Sequence, residues 1–218
     1  RDVYKRQTDE RQISYIGIFS SNTLVKDGSK GTKSKGKEVV EFYKKEENED
    51  ITEKGNPLAG IQQDRNNFKR MAFELEEKKN KKQSHYKEIM LFSKKDHGNK
   101  QNESYEQVKD MIIHVFNDDC DAVLMMLSGH GDIQGNFVLE TRDEESYLNY
   151  EIVKDLWKSR KNPDRCKTLL IIVDTCYSGK WVEENELYKL ENIGINVQSA
   201  CRSFEPASVL SYKGGLFL

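Results

Sequence analysis

The sequence predicts an α/β protein built as a three-layer α/β/α sandwich, with a mostly parallel central sheet and helices on both faces. Two observations predict it. Short apolar runs typical of strands alternate along the chain with longer stretches whose apolar residues have helical spacing. Two of the runs, at 122–127 and 169–173, are apolar throughout, as expected of strands that are covered on both faces. Such alternation favours parallel strands, because each crossover between them needs a connecting helix.

The elements of the first half follow in order. Residues 1–12 show no pattern, and the β-branched and aromatic residues at 13–19 predict the first strand. A stretch dominated by Lys, Glu, Gly and Ser at 26–56 reads as an exposed charged insertion, and Pro57 closes it. Helical spacing then runs from about 60 to 78. A second charged stretch near 76–103 contains a short strand at about 86–92, and a helix is predicted at 105–116.

The second half carries the two most apolar strands. They are predicted at 122–127 and 168–173, with a short hairpin strand at 137–139 and a helix at 150–157 between them. A helix starting near Ser178 and a last strand at 193–199 complete the series. The whole of 13–218 is predicted to be one domain, since 218 residues suit a single core.

Composition excludes several classes of function. Lys and Arg number 35 and Asp and Glu 37, so the net charge of −2 calls for neither a nucleic-acid partner nor a membrane surface. No signal-peptide pattern opens the chain, and no apolar run approaches the roughly 18 residues of a membrane span. The four cysteines form no C-x-x-C pair. We therefore expect a reduced, cytoplasmic compartment and free thiols.

A histidine and a cysteine follow the two apolar strands. His130 lies in S-G-H-G at 128–131, and Cys176 lies in D-T-C-Y-S-G at 174–179. In α/β proteins reactive side chains lie at the carboxyl ends of the strands. A thiolate and a neighbouring imidazole suit acyl transfer, with His130 as the base and Cys176 as the nucleophile. Backbone N–H groups of Gly131 and Cys176 are the natural donors to the oxyanion.

Each of these residues alone has an ordinary structural explanation. A cysteine after a buried strand is often a small core residue, and a histidine beside glycine is often a turn residue. Together they are more specific, because the separation is 176 − 130 = 46 residues. A histidine about 50 residues upstream of the nucleophile is a known spacing for caspases.

At these motifs the chain resembles the caspase/metacaspase superfamily of cysteine peptidases. The metacaspase pattern is close to S-G-H-G followed by D-x-C-x-S-G, and the resemblance extends over roughly 13–207. Residues 58–64 resemble the family's L-x-G-x-x-N-D segment, although Gln63 replaces the usual Asn and Ile61 stands where many metacaspases have Cys. The Q-A-C-R-G string of animal caspases is absent at Cys176. Residues 198–202 echo it only weakly, so Cys201 is rejected as the nucleophile.

The resemblance implies a caspase-like sandwich, protein or peptide substrates and cleavage after Arg or Lys. In metacaspases the positions of Asp64, Ser128 and Asp174 line the pocket for the residue before the cleaved bond. Two carboxylates in one pocket would match a basic side chain and repel an acidic one. The structural alternative is that Asp64 is an acid near a helix N-terminus and Asp174 a loop cap.

Five questions stay open at this level. Many metacaspases bind calcium through Asp clusters, but the available acids have no spacing that defines a site, so no metal or other cofactor is predicted. These acids are Asp132, Asp143, Glu144, Glu145, Glu183 and Glu184. The charged stretches could also be processing sites.

Caspase-like domains usually continue beyond the point where this chain stops, so we expect a truncated C-terminal end. An inactive caspase-like signalling or scaffold module is the alternative function, and the oligomeric state is left open.

Overall fold

The computed structural model describes residues 12–20, 57–77, 85–91, 103–140, 146–207, 209–210 and 214–215. The strands in chain order are β1 (Ile13–Ser20), β2 (His85–Leu91), β3 (Ala122–Ser128), β4 (Phe137–Glu140), β5 (Ser146–Leu148), β6 (Thr168–Asp174), β7 (Ile195–Ser199), β8 (Val209–Leu210) and β9 (Gly214–Gly215). The helices are α1 (Pro57–Glu77), α2 (Glu103–Phe116), α3 (Tyr150–Lys158) and α4 (Gly179–Leu187), with a 3₁₀ turn at Lys189–Glu191.

Five strands form one parallel sheet in the order β2-β1-β3-β6-β7. Strands β4 and β5 form a small antiparallel pair, as do β8 and β9. The hairpin predicted after β3 is therefore present, and every strand predicted in the sheet lies within two residues of its predicted bounds. The predicted mostly parallel α/β architecture is confirmed.

Alternating side chains divide the sheet into two apolar faces. On β1, Ile16 and Ile18 point into a core that includes residues of α2, α3 and α4, whereas Tyr15 and Phe19 point into a smaller core beneath α1. Because successive side chains of a strand point to opposite faces, both faces of this central strand are covered. The helices thus form the two outer layers of the predicted sandwich.

Helix α1 begins three residues earlier than its apolar pattern indicates. Pro57 is its first residue, where the missing N–H of proline costs no helical hydrogen bond. At the other end, Glu76 lies inside the helix although the sequence placed it at the start of a charged stretch. Its buried carboxylate accepts a hydrogen bond of 3.1 Å from the Tyr15 hydroxyl, which explains why this acid faces the sheet.

The charged stretches fall largely outside the described residues. The predicted insertion at 26–56 lies entirely outside them, as do 78–84 and 92–102 of the second charged stretch. Within the described ranges, no helix combines the length and the apolar character needed to cross a bilayer. Strands β3 and β6 are neighbours at the centre of the sheet, and their register pairs Ser128 with Asp174. Both predicted motifs therefore leave the sheet at the same edge.

Candidate active site

The loops that carry His130 and Cys176 leave adjacent strands at equivalent positions. Ser128 and Asp174 are the last residues of β3 and β6 and are paired in the sheet, so each candidate lies two residues beyond its strand. The Gly129 N–H donates to the Asp174 carbonyl at 3.3 Å, which continues the pairing beyond the last residues of the strands. The parallel register therefore brings the two candidates to one edge of the sheet.

Gly131 explains how closely the two loops approach. A Cβ atom at this position would overlap the backbone carbonyl oxygen of Cys176 and would lie 2.9 Å from Thr175 Oγ1. Only a residue without a side chain fits there. The backbone segments that carry His130 and Cys176 are therefore in direct contact.

His130 is half-buried, and hydrogen bonds between its backbone segment and β4 fix its position. Its carbonyl accepts a hydrogen bond of 2.9 Å from Val138 N–H, and Gly131 forms a bridge with Phe137. Burial lowers the pKa of the imidazole below its ordinary value, because the charged form is the one that loses solvation. The ring is consequently neutral at neutral pH, the state in which it can accept a proton.

The loop after β6 holds Cys176 in a constrained turn. Tyr177 has a φ of 58°, a left-handed conformation that is uncommon for a bulky residue. Its N–H donates to the Glu205 carbonyl at 2.9 Å, which holds the conformation in place. Helix α4 begins at Gly179, so the partly exposed Cys176 lies just before a helix N-terminus. The positive end of that helix favours a thiolate.

Cys201 lies against the inner side of this loop. Its sulfur is 3.3 Å from the Thr175 carbonyl oxygen and 3.1 Å from that of Glu205, and Ser178 Oγ is 3.4 Å away. The sequence provided no sign of these contacts, because the two segments are 23 residues apart and share no motif. The neighbours of Cys201 are structural groups of the turn, which suits a role in holding the loop that presents Cys176.

A second unpredicted contact joins the two loops through Trp181. This buried residue of α4 donates from Nε1 to the Gly135 carbonyl at 2.6 Å. Gly135 belongs to the segment between His130 and β4, while α4 directly follows the Cys176 loop. The hydrogen bond therefore fixes the distance between the segment after the histidine and the helix after the cysteine.

The three predicted pocket residues come together on the α1 face of the sheet. Asp64 of α1 is 4% exposed, Ser128 is 2% exposed and Asp174 is 6% exposed. Ser128 Oγ donates to Asp64 Oδ2 at 2.8 Å. Since Ser128 and Asp174 are register partners, the two carboxylates flank the end of β3. Asp64 is thus a buried acid of helix α1 that accepts a hydrogen bond from the end of β3.

Asp174 carries an incomplete set of contacts. Its Oδ2 is buried and has no hydrogen-bond partner among the described residues. Burial, with a smaller contribution from the nearby charge of Asp64, raises the pKa of this carboxyl to about 7. Buried polar atoms are almost always hydrogen-bonded, so an orphaned carboxylate oxygen beside a second acid is an unusual arrangement in a free protein. A cationic group beside it would give the Asp174 oxygen a partner.

The acids considered for calcium do not form a site in the described part of the chain. Asp132 Oδ1 accepts hydrogen bonds of 2.9 Å from the N–H groups of Gln134 and Asn136, and its Oδ2 accepts from the Asn136 amide at 2.8 Å. Glu183 accepts from the Ser203 hydroxyl. Among the described residues, no group of three or more His, Cys, Asp or Glu side chains is placed to hold a metal ion. Asp143, Glu144 and Glu145 lie outside those residues.

Comparison with known proteins supports the fold alone. No protein-family model matches the chain, and no curated protein matches its sequence. Among solved structures, the crystal structure of caspase-1 from Spodoptera frugiperda is similar, with a TM-score of 0.51 and 13% sequence identity. The similarity covers 95% of this chain and 66% of that chain. The protein therefore has a caspase-like fold, and it spans just under two thirds of the length of this structural relative.

Proposed function

We propose that the protein is a cysteine endopeptidase that uses His130 and Cys176 and cleaves after Arg or Lys. The observation that carries the proposal is the direct contact of the two loops beyond the paired ends of β3 and β6. The caspase-like fold supports it, because the same class of fold is found in a caspase-1 crystal structure. The sequence motifs at the two strand ends supply the residue types that the reaction needs.

The reaction follows from the chemistry of the two side chains. Neutral His130 removes the thiol proton of Cys176, and the thiolate attacks the carbonyl carbon of the scissile peptide bond. The oxyanion accepts hydrogen bonds from the backbone N–H groups of Gly131 and Cys176. His130 then donates its proton to the departing amine, and water hydrolyses the thioester that remains. The N-terminus of α4 stabilises the thiolate before the attack.

The preference for a basic residue rests on Asp64 and Asp174. A guanidinium or ammonium group placed between them would give the orphaned Asp174 Oδ2 a donor and would neutralise two buried like charges. An acidic substrate residue would add a third negative charge to the same desolvated place. The two carboxylates therefore favour Arg or Lys at this position and oppose Asp.

Fluorogenic peptides that differ only in the residue before the cleaved bond test the proposal. We expect the wild-type chain to release the fluorophore after Arg and Lys but not after Asp, and Cys176→Ala to release none. Parallel assays with added calcium and with a chelator separate a metal requirement from lack of activity. Cleavage after Asp alone would refute the pocket assignment. Absence of Cys176-dependent cleavage under every condition would favour the inactive signalling or scaffold module instead.

A further inference from the structure

A pair of buried cysteines lies at the opposite edge of the sheet from the candidate active site. Cys120 precedes β3 by two residues and Cys166 precedes β6 by two residues. Both thiols are buried, at 0% and 1% exposure, and both belong to the large core under α2, α3 and α4. Their sulfur atoms are 3.3 Å apart. Neither residue has a part in the proposed peptidase reaction.

The sheet register explains why the two thiols meet. Ala122 is paired with Thr168, and Lys167 N–H donates to the Asp121 carbonyl at 3.3 Å, so the pairing continues toward the cysteines. Two residues before this pair, Cys120 and Cys166 occupy equivalent positions on the segments that lead into β3 and β6. Adjacent strands lie about 4.8 Å apart. Disulfides typically join Cα atoms separated by about 4.4–6.8 Å, so this backbone spacing accommodates a bond.

We propose that Cys120 and Cys166 are a modification site that forms an intramolecular disulfide when the protein meets a peroxide. The sulfurs would have to approach from 3.3 Å to the bonded distance of about 2.05 Å, which rotations of the two side chains supply without separating the strands. The described residues offer no metal site that would explain the pair in another way.

The surroundings distinguish the two sulfurs chemically. The hydrogen bond between the two sulfurs lowers the pKa of Cys120, and the Ser14 hydroxyl acts in the same direction. The same pairing and burial raise the pKa of Cys166. The Arg160 guanidinium lies over the Trp157 ring and donates to the Cys166 carbonyl at 2.9 Å, which places a cation beside the pair. The Ser14 hydroxyl thus makes Cys120 the sulfur that ionises more readily, while the Arg160 cation lies on the Cys166 side of the pair.

The reaction balances with hydrogen peroxide as the oxidant. Cys120 releases its thiol proton, and the thiolate attacks one peroxide oxygen. The O–O bond breaks, a sulfenic acid forms, and the departing hydroxide takes up the released proton and leaves as water. The Cys166 sulfur then attacks the sulfenic sulfur, the S–O bond breaks and a second water leaves. The two thiols lose two electrons in total and the peroxide gains them. Excess dithiol reverses the bond by exchange.

Peptide mapping of the wild-type chain tests the proposal without relying on a variant. Trypsin places each cysteine in a different peptide: Cys120 in 110–142, Cys166 in 166–167, Cys176 in 168–180 and Cys201 in 190–202. Fully reduced protein is treated with hydrogen peroxide, its free thiols are alkylated, and it is digested without reductant. We expect peptide 110–142 joined to 166–167, lighter by about 2 Da than the sum of the two thiol peptides.

Three results would overturn the proposal. In the first, Cys120 and Cys166 both remain free and are alkylated at a peroxide dose that oxidises Cys176. In the second, Cys120 or Cys166 becomes a sulfinic or sulfonic acid and no crosslink forms. In the third, Cys120 or Cys166 forms a disulfide with Cys176 or Cys201. Cys120→Ser is the matched control and should abolish the joined peptide. A second readout is thermal unfolding: the oxidised wild type should melt several degrees higher than the reduced form, and dithiol should remove the difference. An unchanged melting temperature in a crosslinked sample would show that the bond strains the fold.

Discussion

Acidic side chains at the two ends of the β3–β6 pair differ in burial and in hydrogen bonding: they are part-buried and bonded at one end, buried and incompletely bonded at the other. At the amino ends of the strands, Asp121 Oδ2 accepts a hydrogen bond of 2.6 Å from Gln12 N–H, and Asp118 Oδ2 accepts one of 3.3 Å from the Ser14 hydroxyl. At the carboxyl ends, Asp174 keeps one buried oxygen without a partner in the described part of the chain, next to the charge of Asp64. The same two strands thus end in a satisfied edge and an unsatisfied one.

The difference indicates that one end of these strands serves stability and the other serves function. Folding favours an arrangement in which every buried polar atom is paired. An orphaned oxygen reduces stability and persists when it serves another purpose, such as binding a ligand of opposite charge. The carboxyl edge is where the proposed nucleophile and base lie, so substitutions there should reduce activity, whereas substitutions at the amino edge should change stability or redox state.

The largest expected effect at the carboxyl edge comes from His130→Ala. Without a base the thiol proton of Cys176 has no acceptor, and we expect kcat to fall by about 10³-fold or more. The measurement is cleavage of an Arg peptide, with folding checked by circular dichroism. His114→Ala is the matched control, because His114 lies in the last turn of α2 and its side chain is 65% exposed. Equal losses in both variants would contradict the comparison.

Asp174→Asn tests the unsatisfied carboxylate directly. Loss of one charge from the proposed pocket should reduce kcat/KM for an Arg peptide by about 10²-fold, since breaking a buried charge pair typically costs about 2–5 kcal/mol. The loss should be greater in KM than in kcat, because the side chain binds the substrate and does not react. Ser128→Ala removes the donor to Asp64 and should have a smaller effect. An unchanged ratio of Arg to neutral-residue cleavage in Asp174→Asn would argue against the pocket.

The same substitution should change stability in the opposite direction. The carboxyl has a pKa of about 7 in the folded state against an ordinary value of 3.8, so between these values the folded chain binds more protons than the unfolded chain. The free energy of unfolding therefore falls as the pH rises from about 4 to 7, and the penalty is complete above pH 7. Because a tenfold change in proton affinity is worth about 1.4 kcal/mol, this penalty is at most on the order of 4 kcal/mol.

Urea unfolding at pH 5 and pH 8 measures this penalty. We expect Asp174→Asn to lose less stability than the wild type between the two values, because the asparagine does not ionise. Asp155→Asn is the control, since that carboxylate on α3 is 75% exposed. Parallel pH dependence in the wild type and Asp174→Asn would mean that Asp174 ionises in the folded state without cost.

Local patterns were sufficient for the strands and for the positions of the motifs. Apolar runs marked β3 and β6, and residues directly after them were correctly expected at one edge, because parallel strands end together. The apolar pattern places the start of α1 three residues too late, because Pro57 is equally typical of the end of a loop. Asp64 entered through family resemblance, and its hydrogen bond with Ser128 joins residues 64 apart in sequence.

Contacts between distant segments could not be predicted in this way. Cys201 beside Thr175, Trp181 bonded to Gly135 and Cys120 beside Cys166 each depend on which strands are neighbours and on their register. The apolar pattern of a single strand indicates that the strand is buried but does not indicate which strand lies beside it. The residue contacts named above therefore have no signal in the local sequence.

Gly131→Ala should have an intermediate effect at the carboxyl edge. The added methyl group would overlap the Cys176 carbonyl oxygen, so one of the two loops must move. The backbone of one loop would have to be distorted to make room for the methyl group. Overpacking of this kind typically lowers the free energy of unfolding by about 1–3 kcal/mol. We expect a lower melting temperature together with a loss of activity. Normal activity in a fully folded Gly131→Ala would mean that the loops need not touch.

Trp181→Phe should have the smallest effect and sharpens the comparison most. The phenylalanine keeps most of the buried ring but loses the Nε1 donor to the Gly135 carbonyl, and a net hydrogen bond contributes about 1 kcal/mol to stability. If the hydrogen bond also fixes the spacing of the His130 and Cys176 loops, kcat should fall while the melting temperature changes by only a few degrees. Trp157→Phe is the control, because Trp157 Nε1 donates to the Ile193 carbonyl at 2.7 Å, away from the candidate active site. If both variants lose similar stability and only Trp181→Phe loses kcat, Trp181 positions the two loops for the reaction. If kcat is equal in both variants, Trp181 contributes to stability alone.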